Sequence, residues 1–276
     1  MSKKVWLVTG CSKGLGKALV EELIAQGYPV AGTIRSKESL EKSIGAENDI
    51  FLPLSMNVKD EADVKNAISL ATEKFGRIDV VVNNAGFTHL ATIEEMSDAD
   101  AREEFDINVF GTLNVIRSVL PQMRAQGSGH IFNVSSLGAY NVGPLSGIYC
   151  ATKHAVKAIS ETLAQEVKVF GIHVTDVKPG FMKTEFFGSS YKTTAPKSSP
   201  YKHLYDENMK FYMGQNGNQA GDPKKAAKLY IKVAEMDEPY ESLPMGTDCC
   251  DGIRNICEGT VKLMDEMRAV AETTNF

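Results

Sequence analysis

Residues 9–16 read Thr-Gly-Cys-Ser-Lys-Gly-Leu-Gly, and this stretch decides the fold. It joins a short apolar run at Val5–Thr9 to a helical pattern at Leu15–Gln26. Glycine lets a backbone approach a pyrophosphate closely, and the amino end of a helix offers free N–H groups and partial positive charge. Three glycines also occur in plain turns, but the position after a first strand favours a dinucleotide phosphate site.

Outward from this loop, strand patterns alternate with helical ones along most of the chain. Further strands are predicted at Val30–Ile34, Ile50–Leu54, Ile78–Asn83, Ile131–Ser135, Val174–Lys178 and near Leu243. Further helices are predicted at Glu61–Phe75, Asp98–Gln126, Tyr149–Phe170, Pro223–Met236 and Asp251–Ala271. Such alternation predicts an α/β, doubly wound, mostly parallel sheet with helices on both faces.

One stretch, about 187–222, breaks this rhythm and is rich in Ser, Thr, Pro, Gly and Tyr. Insertions of this length usually form lids or binding loops, and one short helix is expected near Tyr205–Met213. Since no repeat or linker is evident, a single domain is expected over residues 1–276.

The charge balance is mildly acidic, with 30 Lys and Arg against 35 Asp and Glu and a net charge of −5. This disfavours nucleic-acid and anionic-membrane partners. Five cysteines without a CxxC pair, and histidines without ligand spacing, predict no disulfide framework and no metal site. Without a signal-like or 18-residue apolar segment, a cytoplasmic location is expected.

A possible reaction centre lies at Tyr149 and Lys153, which share a helix face at spacing i, i+4. A lysine cation beside a phenol favours the phenolate, so the pKa of Tyr149 is expected to fall. YxxxK also occurs by chance as a solvated lysine beside a core tyrosine. It gains weight from Ser136, which lies thirteen residues earlier at the end of a predicted strand.

Five motifs together resemble the single-domain branch of the short-chain dehydrogenase/reductase family. They are TGxxxGxG at 9–16, NNAG at 83–86, the second serine of NVSS at 133–136, YxxxK at 149–153 and PGxxxT at 179–184. Residues 221–223, 243–248 and 273–276 more loosely resemble the subgroup of 17β-hydroxysteroid and retinol dehydrogenases and carbonyl reductases. The resemblance implies a Rossmann-type sheet of seven strands.

The resemblance also implies a catalytic tetrad of Asn108, Ser136, Tyr149 and Lys153. In it, the tyrosine exchanges the proton, the serine orients the substrate oxygen, and the lysine lowers the tyrosine pKa and binds a ribose. The asparagine anchors a water. Ser135 is the rival serine, and Asn108 taken alone reads as a helix-kinking or surface residue.

The implied cofactor is NADP(H). Ile34 stands where an NAD-specific site carries a carboxylate, while Arg35 and Lys13 can bind a 2′-phosphate; otherwise both are solvated surface charges. Asn57 replaces the family's usual aspartate. The implied cofactor-binding set is Gly10, Ser12, Lys13, Gly14, Leu15, Gly16, Arg35, Asn57, Val58, Asn84, Ala85, Gly86, Tyr149, Lys153, Pro179, Gly180 and Thr184.

These features predict an NADPH-dependent carbonyl reductase or alcohol dehydrogenase acting on an apolar ketone or aldehyde. The expected pocket residues are Leu137, Val142, Phe181, Met182 and Phe186. Aromatic and methionine side chains of the 187–222 loop are expected to join them; the alternative is that these side chains only pack the loop onto the domain. The alternatives are a catalytically silent NADP(H)-binding sensor or scaffold protein and, less favoured, a sugar-nucleotide epimerase or dehydratase. The resemblance also implies a homodimer or homotetramer built on helices 98–126 and 149–170. An apolar stripe of residues 109, 113, 116 and 120 supports this, although the stripe can equally face the sheet.

Overall fold

The computed structural model describes residues 3–186, 191–196 and 200–276. Its main sheet has seven strands, all parallel, in the order β3-β2-β1-β4-β6-β7-β9. These strands are β1 (Trp6–Thr9), β2 (Val30–Ile34), β3 (Phe51–Ser55), β4 (Val80–Asn83), β6 (Gly129–Val134), β7 (Ile172–Pro179) and β9 (Ser242–Met245). The predicted doubly wound α/β sheet is confirmed.

Helices cover both faces of this sheet. They are α1 (Gly14–Ala25), α2 (Lys37–Ser43), α3 (Glu61–Phe75), α4 (Asp98–Phe105), α5 (Gly111–Gln126), α6 (Gly147–Val167), α7 (Lys202–Gln215), α8 (Pro223–Ala234) and α9 (Thr247–Glu272). Successive residues of β1 point to opposite faces, so Trp6 packs with α1 and α8 while Leu7 packs with α3, α5 and α6. Burial on both faces explains why the strands read as continuous apolar runs.

The strand order reverses between β1 and β4, because the chain crosses from one half of the sheet to the other there. Sheets of this type bind ligands in the crevice at the carboxyl ends of the strands beside such a reversal. The glycine loop follows β1, residues 84–86 follow β4, and Ser135 and Ser136 follow β6. All three segments therefore open into one crevice.

Four elements escaped prediction from the sequence. Helix α2 is a short helix capped by Ser36. Strand β5 (Thr88–Leu90) pairs in parallel with β8 (Tyr191–Thr193) in a separate two-stranded sheet. The long predicted helix 98–126 is divided by a π-helical segment, Asp106–Phe110. The last helix also begins four residues earlier than predicted, at Thr247.

The apolar stripe expected to carry an oligomer packs largely inside the subunit. Val109 and Ile116 are buried, and Leu120 packs against the core beneath α5. Leu113 is half-buried and belongs to neither large core cluster, so the stripe faces the sheet only in part, and the oligomer stays a prediction. Separately, no helix within the described part of the chain combines the length and apolar character that crossing a membrane requires.

Candidate active site

A cavity of about 630 Å³ occupies the crevice and runs from the glycine loop to α7. The loops after β1, β2, β4, β6 and β7 form its walls. Every residue of the predicted catalytic and cofactor-binding sets except Asn108 and Gly16 lines it. The structure thus brings together predicted residues as far apart in the sequence as Gly10 and Thr184, which are 174 positions apart.

The glycine loop is held too tightly against the β4 loop for larger residues. Gly10 has a φ of +66°, and a Cβ there would lie 2.7 Å from the Cα of Ala85. A Cβ on Gly16 would lie 2.5 Å from Nδ2 of Asn84. Glycine at these two positions therefore lets the two loops close on each other at the floor of the cavity.

Asn84 fixes this contact with hydrogen bonds. Its Nδ2 donates to the carbonyl oxygens of Thr9 (3.0 Å) and Gly10 (2.9 Å). In return, Oγ1 of Thr9 accepts from the backbone N–H groups of Asn84 (3.0 Å) and Ala85 (2.9 Å). The NNAG motif therefore shapes the phosphate loop as well as ending β4.

The amino end of α1 suits an anionic ligand. Lys13 occupies the N-cap position in an extended conformation, with no side-chain hydrogen bond capping the helix. N–H groups in the first turn of a helix are suited to binding a phosphate. Half-buried Ile34 and exposed Arg35 line the same part of the cavity. A dinucleotide with a 2′-phosphate fits this donor set.

The remaining cofactor candidates also meet here. Gly180 lies against Asp248, whose Oδ2 accepts from the N–H of Phe181 at 2.7 Å. Thr184 lies near Gly14, since a Cβ on that glycine would be 3.5 Å from the Thr184 Cβ. Asn57 lines the cavity as well, and its Oδ1 accepts from the N–H of Lys59 at 3.2 Å and so caps a turn.

Ser136 and Tyr149 lie close together on the cavity wall, since both are 3.4 Å from the position of a Cβ on Gly138. Ser135 is separated from this pair, since its hydroxyl donates to the carbonyl oxygen of Val177 at 3.1 Å. Burial raises the pKa of Tyr149, and the neighbouring Ser136 hydroxyl offsets this only in part. The expectation that the pKa of Tyr149 falls is wrong, because burial is the largest effect on it.

Lys153 is buried, and its Nζ lies 5.6 Å from the centre of the Tyr149 ring. The ammonium donates to the carbonyl oxygen of Val134 at 2.8 Å, at the end of β6. Burial lowers the pKa of Lys153 to about 8, while the charges of Glu104 and Asp176 oppose this shift. The ammonium is therefore mostly charged at neutral pH and faces the phenol.

Asn108 lies within the π-helical segment and is buried. Its Oδ1 accepts from the N–H of Phe87 at 3.1 Å, and its Nδ2 donates to the Phe87 carbonyl at 2.9 Å. The same Nδ2 donates to Oγ1 of Thr152 at 3.1 Å. Asn108 therefore ties the β4 loop to the helix that carries Tyr149 and Lys153. π-Helical turns often occur at functional sites.

The five predicted pocket residues all line the cavity, but their burial differs. The Phe186 ring lies 5.9 Å from that of Tyr149, and Phe181 contacts Phe211 at 6.3 Å between ring centres. Met182 is buried and packs mainly into the core, whereas Val142 is 62% exposed at the rim. Leu137 contacts α9 at Gly252.

The loop residues divide between lining and packing. Tyr191, Phe211 and Tyr212 line the cavity. Tyr205 and Met209 instead pack with Leu90 and Leu145 in a small separate core. For these two residues the alternative is correct, in which the loop side chains pack the loop onto the domain. Phe187 and the rest of 187–190 and 197–199 lie outside the described residues.

Sequence reasoning missed Glu104, a fully buried carboxyl group behind the cavity. Its Oε1 accepts from the N–H of His89 at 3.3 Å, while Oε2 has no partner in the described structure. Burial raises the pKa of Glu104 to about 7, although nearby Lys153 lowers it. A single acid in a mostly polar helix gives no sequence signal of such burial.

Replacing Glu104 with Gln should stabilise the protein at alkaline pH. The pKa of Glu104 is raised from 4.5 to about 7 on folding, so the unfolded chain loses its proton first and stability falls as pH rises between these values. Glu104→Gln should remove a penalty of about 3 kcal/mol at about pH 8, and almost nothing near pH 4. Urea unfolding at both pH values measures the difference.

Glu103→Gln is the matched control, since Glu103 lies on the same helix, is partly exposed and pairs with Lys192. Such a pair is worth at most about 1 kcal/mol. A gain from Glu104→Gln that is equal at both pH values would show that Glu104 carries no raised pKa.

Comparison with known proteins gives the family. The short chain dehydrogenase profile matches residues 4–195. Oxidoreductase BOA17 of Botryotinia fuckeliana is 36% identical over 250 residues, 90% of each chain. The 3-ketodihydrosphingosine reductase of Bacteroides thetaiotaomicron is 30% identical over 243 residues, 88% of each chain.

A short-chain dehydrogenase from Streptomyces avermitilis, solved by crystallography, superposes with a TM-score of 0.89 at 33% identity. The match covers 99% of this chain and 100% of that one. The chain belongs to the short-chain dehydrogenase/reductase family and is an oxidoreductase that uses a nicotinamide cofactor.

Proposed function

We propose that this protein is an NADPH-dependent carbonyl reductase acting on apolar ketones or aldehydes, within the subgroup similar to 17β-hydroxysteroid and retinol dehydrogenases. One observation carries the proposal. Ser136 and Tyr149, with Lys153 behind the tyrosine ring, line the wall of a single cavity. That cavity joins a phosphate-binding loop at one end to aromatic side chains at the other.

Each member of the tetrad has a distinct role. When bound, the nicotinamide donates or accepts the hydride. Ser136 holds the substrate oxygen by hydrogen bonding, and the Tyr149 phenol donates its proton to that oxygen during reduction. Burial favours the protonated phenol, which is the form that donates in reduction. Positioned proton transfer of this kind contributes roughly 10²–10⁴-fold.

Lys153 and Asn108 support the tyrosine. The Lys153 ammonium stabilises negative charge on Tyr149 as the proton leaves, and it is placed to bind the cofactor ribose. Asn108 holds the β4 loop against α6 through Phe87 and Thr152. It thereby keeps Lys153 at the edge of the nicotinamide site, where the family anchors a water for proton exchange.

The cavity lining favours an apolar substrate. Phe181, Phe186, Phe211 and Tyr212 surround the space beyond Tyr149. A relative sharing 30% identity is a 3-ketodihydrosphingosine reductase, which supports a ketone as the reacting group. A sugar or nucleotide would leave its hydroxyl groups without partners against these rings.

A substrate panel tests the proposal. Aliphatic, aryl and long-chain ketones and aldehydes are offered with NADPH, and oxidation is followed by loss of the reduced nicotinamide absorbance. We expect the apolar ketones to give kcat/KM values at least tenfold above those of hydroxylated ketones of equal size. NADPH binding without turnover across the panel would favour the silent-sensor alternative.

A further inference from the structure

Helix α9 leaves the body of the protein after its first two turns. Cys249 is buried, and Gly252 lies against Leu137, but every residue from Arg254 to Phe276 is exposed. At 1.5 Å per residue, the projecting part of the helix is about 28 Å long. An isolated helix of this length gains little stability alone, so a partner is expected.

One face of the projecting helix is an apolar stripe. It consists of Ile253, Ile256, Thr260, Leu263, Met267 and Val270, at alternating spacings of three and four. Ile256, Leu263 and Met267 are 38%, 51% and 45% exposed. Spacing of this kind is that of the a and d positions of a coiled coil, and exposed apolar stripes mark interaction surfaces.

The charged residues lie away from this stripe. Salt bridges run along the opposite side between Arg254 and Glu258 (4.0 Å) and between Arg268 and Glu272 (3.0 Å). Only Glu266 borders the stripe, where it pairs with Lys262 at 3.9 Å. One face of the helix is therefore polar and suits solvent, and the other is apolar and suits an apolar partner.

We propose that α9 pairs with α9 of a second copy of this chain, antiparallel, about a twofold axis between Val261 and Lys262. In this register Ile253 meets the partner's Val270, Ile256 meets the partner's Met267, and Thr260 meets the partner's Leu263. Every layer then joins an a position to a d position, and each contact occurs twice, as a twofold interface requires. Glu266 faces the partner's Gly259, so no like charges meet.

The charge of the helix argues against a lipid surface as the occupant. Residues 247–272 carry three basic and six acidic side chains, a net charge of −3. Amphipathic helices that bind anionic membranes are instead rich in Lys and Arg on the polar face. The area that two such stripes bury is small compared with the roughly 800 Å² per partner of a standard interface. We therefore expect a dissociation constant in the micromolar range.

The antiparallel register also carries the partner's last residues, Thr273–Phe276, back toward this subunit. They reach the surface around Gly252 and Leu137, and Leu137 lines the cavity. The dimer therefore places a partner segment beside the rim of each active site.

Cross-linking tests the register directly. Cys257 is exposed, and in the proposed pair it faces the partner's Met264. Met264→Cys should form an intermolecular disulfide under oxidised glutathione at least tenfold faster than Val261→Cys, the control on the same helix off the stripe. Peptide mapping must identify Cys257 as the other sulfur. A Cys257–Cys257 disulfide in the unmodified protein would indicate a parallel pair and overturn the proposal.

Leu263→Glu provides the second arm, with Val261→Glu as its control. Both positions are exposed, at 51% and 61%, so neither change disturbs the core. In sedimentation equilibrium, Leu263→Glu should weaken the α9-dependent association about 100-fold, while Val261→Glu leaves it unchanged. Equal behaviour of the two variants, or binding of the unmodified protein to phosphatidylserine vesicles with no cross-link, would overturn the proposal.

Discussion

Tyr149→Phe should lower kcat/KM for ketone reduction by about 10³-fold, in line with the loss of positioned proton transfer. The change removes one hydroxyl group and no packing volume, so the affinity for NADPH should stay within about threefold. Steady-state kinetics and fluorescence titration with NADPH measure the two quantities. Because burial raises the pKa of Tyr149, the loss in reduction should be equally large across neutral pH.

Tyr212→Phe is the matched control for this variant. Tyr212 lines the same cavity, but its hydroxyl donates to the Pro144 carbonyl at 3.1 Å, away from Lys153. Its loss should change kcat/KM by less than about tenfold. Comparable activity in Tyr149→Phe and the unmodified protein would remove Tyr149 from the mechanism.

Arg35→Ala should weaken NADPH binding by about 10- to 150-fold and leave NADH binding nearly unchanged. The guanidinium can bind a 2′-phosphate by charge-assisted hydrogen bonds, each worth about 1.5–3 kcal/mol. Ile34→Asp should shift the preference toward NADH, since a carboxylate there accepts from the ribose and repels the phosphate. Calorimetric titration with both cofactors measures these affinities.

Lys37→Ala controls for the loss of one positive charge nearby. Lys37 begins α2 and pairs with Glu41 (3.9 Å) and Glu47 (3.5 Å), outside the cavity. It should leave both cofactor affinities within about twofold. Equal kcat/KM with NADH and NADPH in the unmodified protein would contradict the cofactor proposal.

The sequence predicted the sheet and most of the cavity floor because both depend on local patterns. Apolar runs mark buried parallel strands, and the motifs follow those strands at their carboxyl ends. Gly10 and Asn84 meet for this reason, although 74 residues separate them. The topology alone places such segments side by side.

Features that depend on tertiary packing were not predictable in this way. Glu104 reads as one more acid in the polar helix Asp98–Phe105, and only the fold shows that it is buried. Met182 in PGxxxT and Tyr205 in the 187–222 loop read as pocket residues because they are largely apolar. Met182 lines the cavity but packs mainly into the core, and Tyr205 packs in the small separate core. The pKa of Tyr149 was expected to fall, but burial by the surrounding protein is the largest effect on it and raises it.

The two-stranded sheet of β5 and β8 lies at the substrate end of the cavity, and it is less stable than the seven-stranded sheet. Three residues on each strand hold it, helped by the Thr193 hydroxyl, which hydrogen-bonds the Leu90 carbonyl at 3.0 Å. A two-stranded sheet is marginal in water, so this wall opens at a lower free energy than the seven-stranded sheet. Tyr191 and Lys192 on β8 line the cavity. A substrate that fills it therefore restrains this wall, and part of its binding energy offsets the conformational entropy lost there.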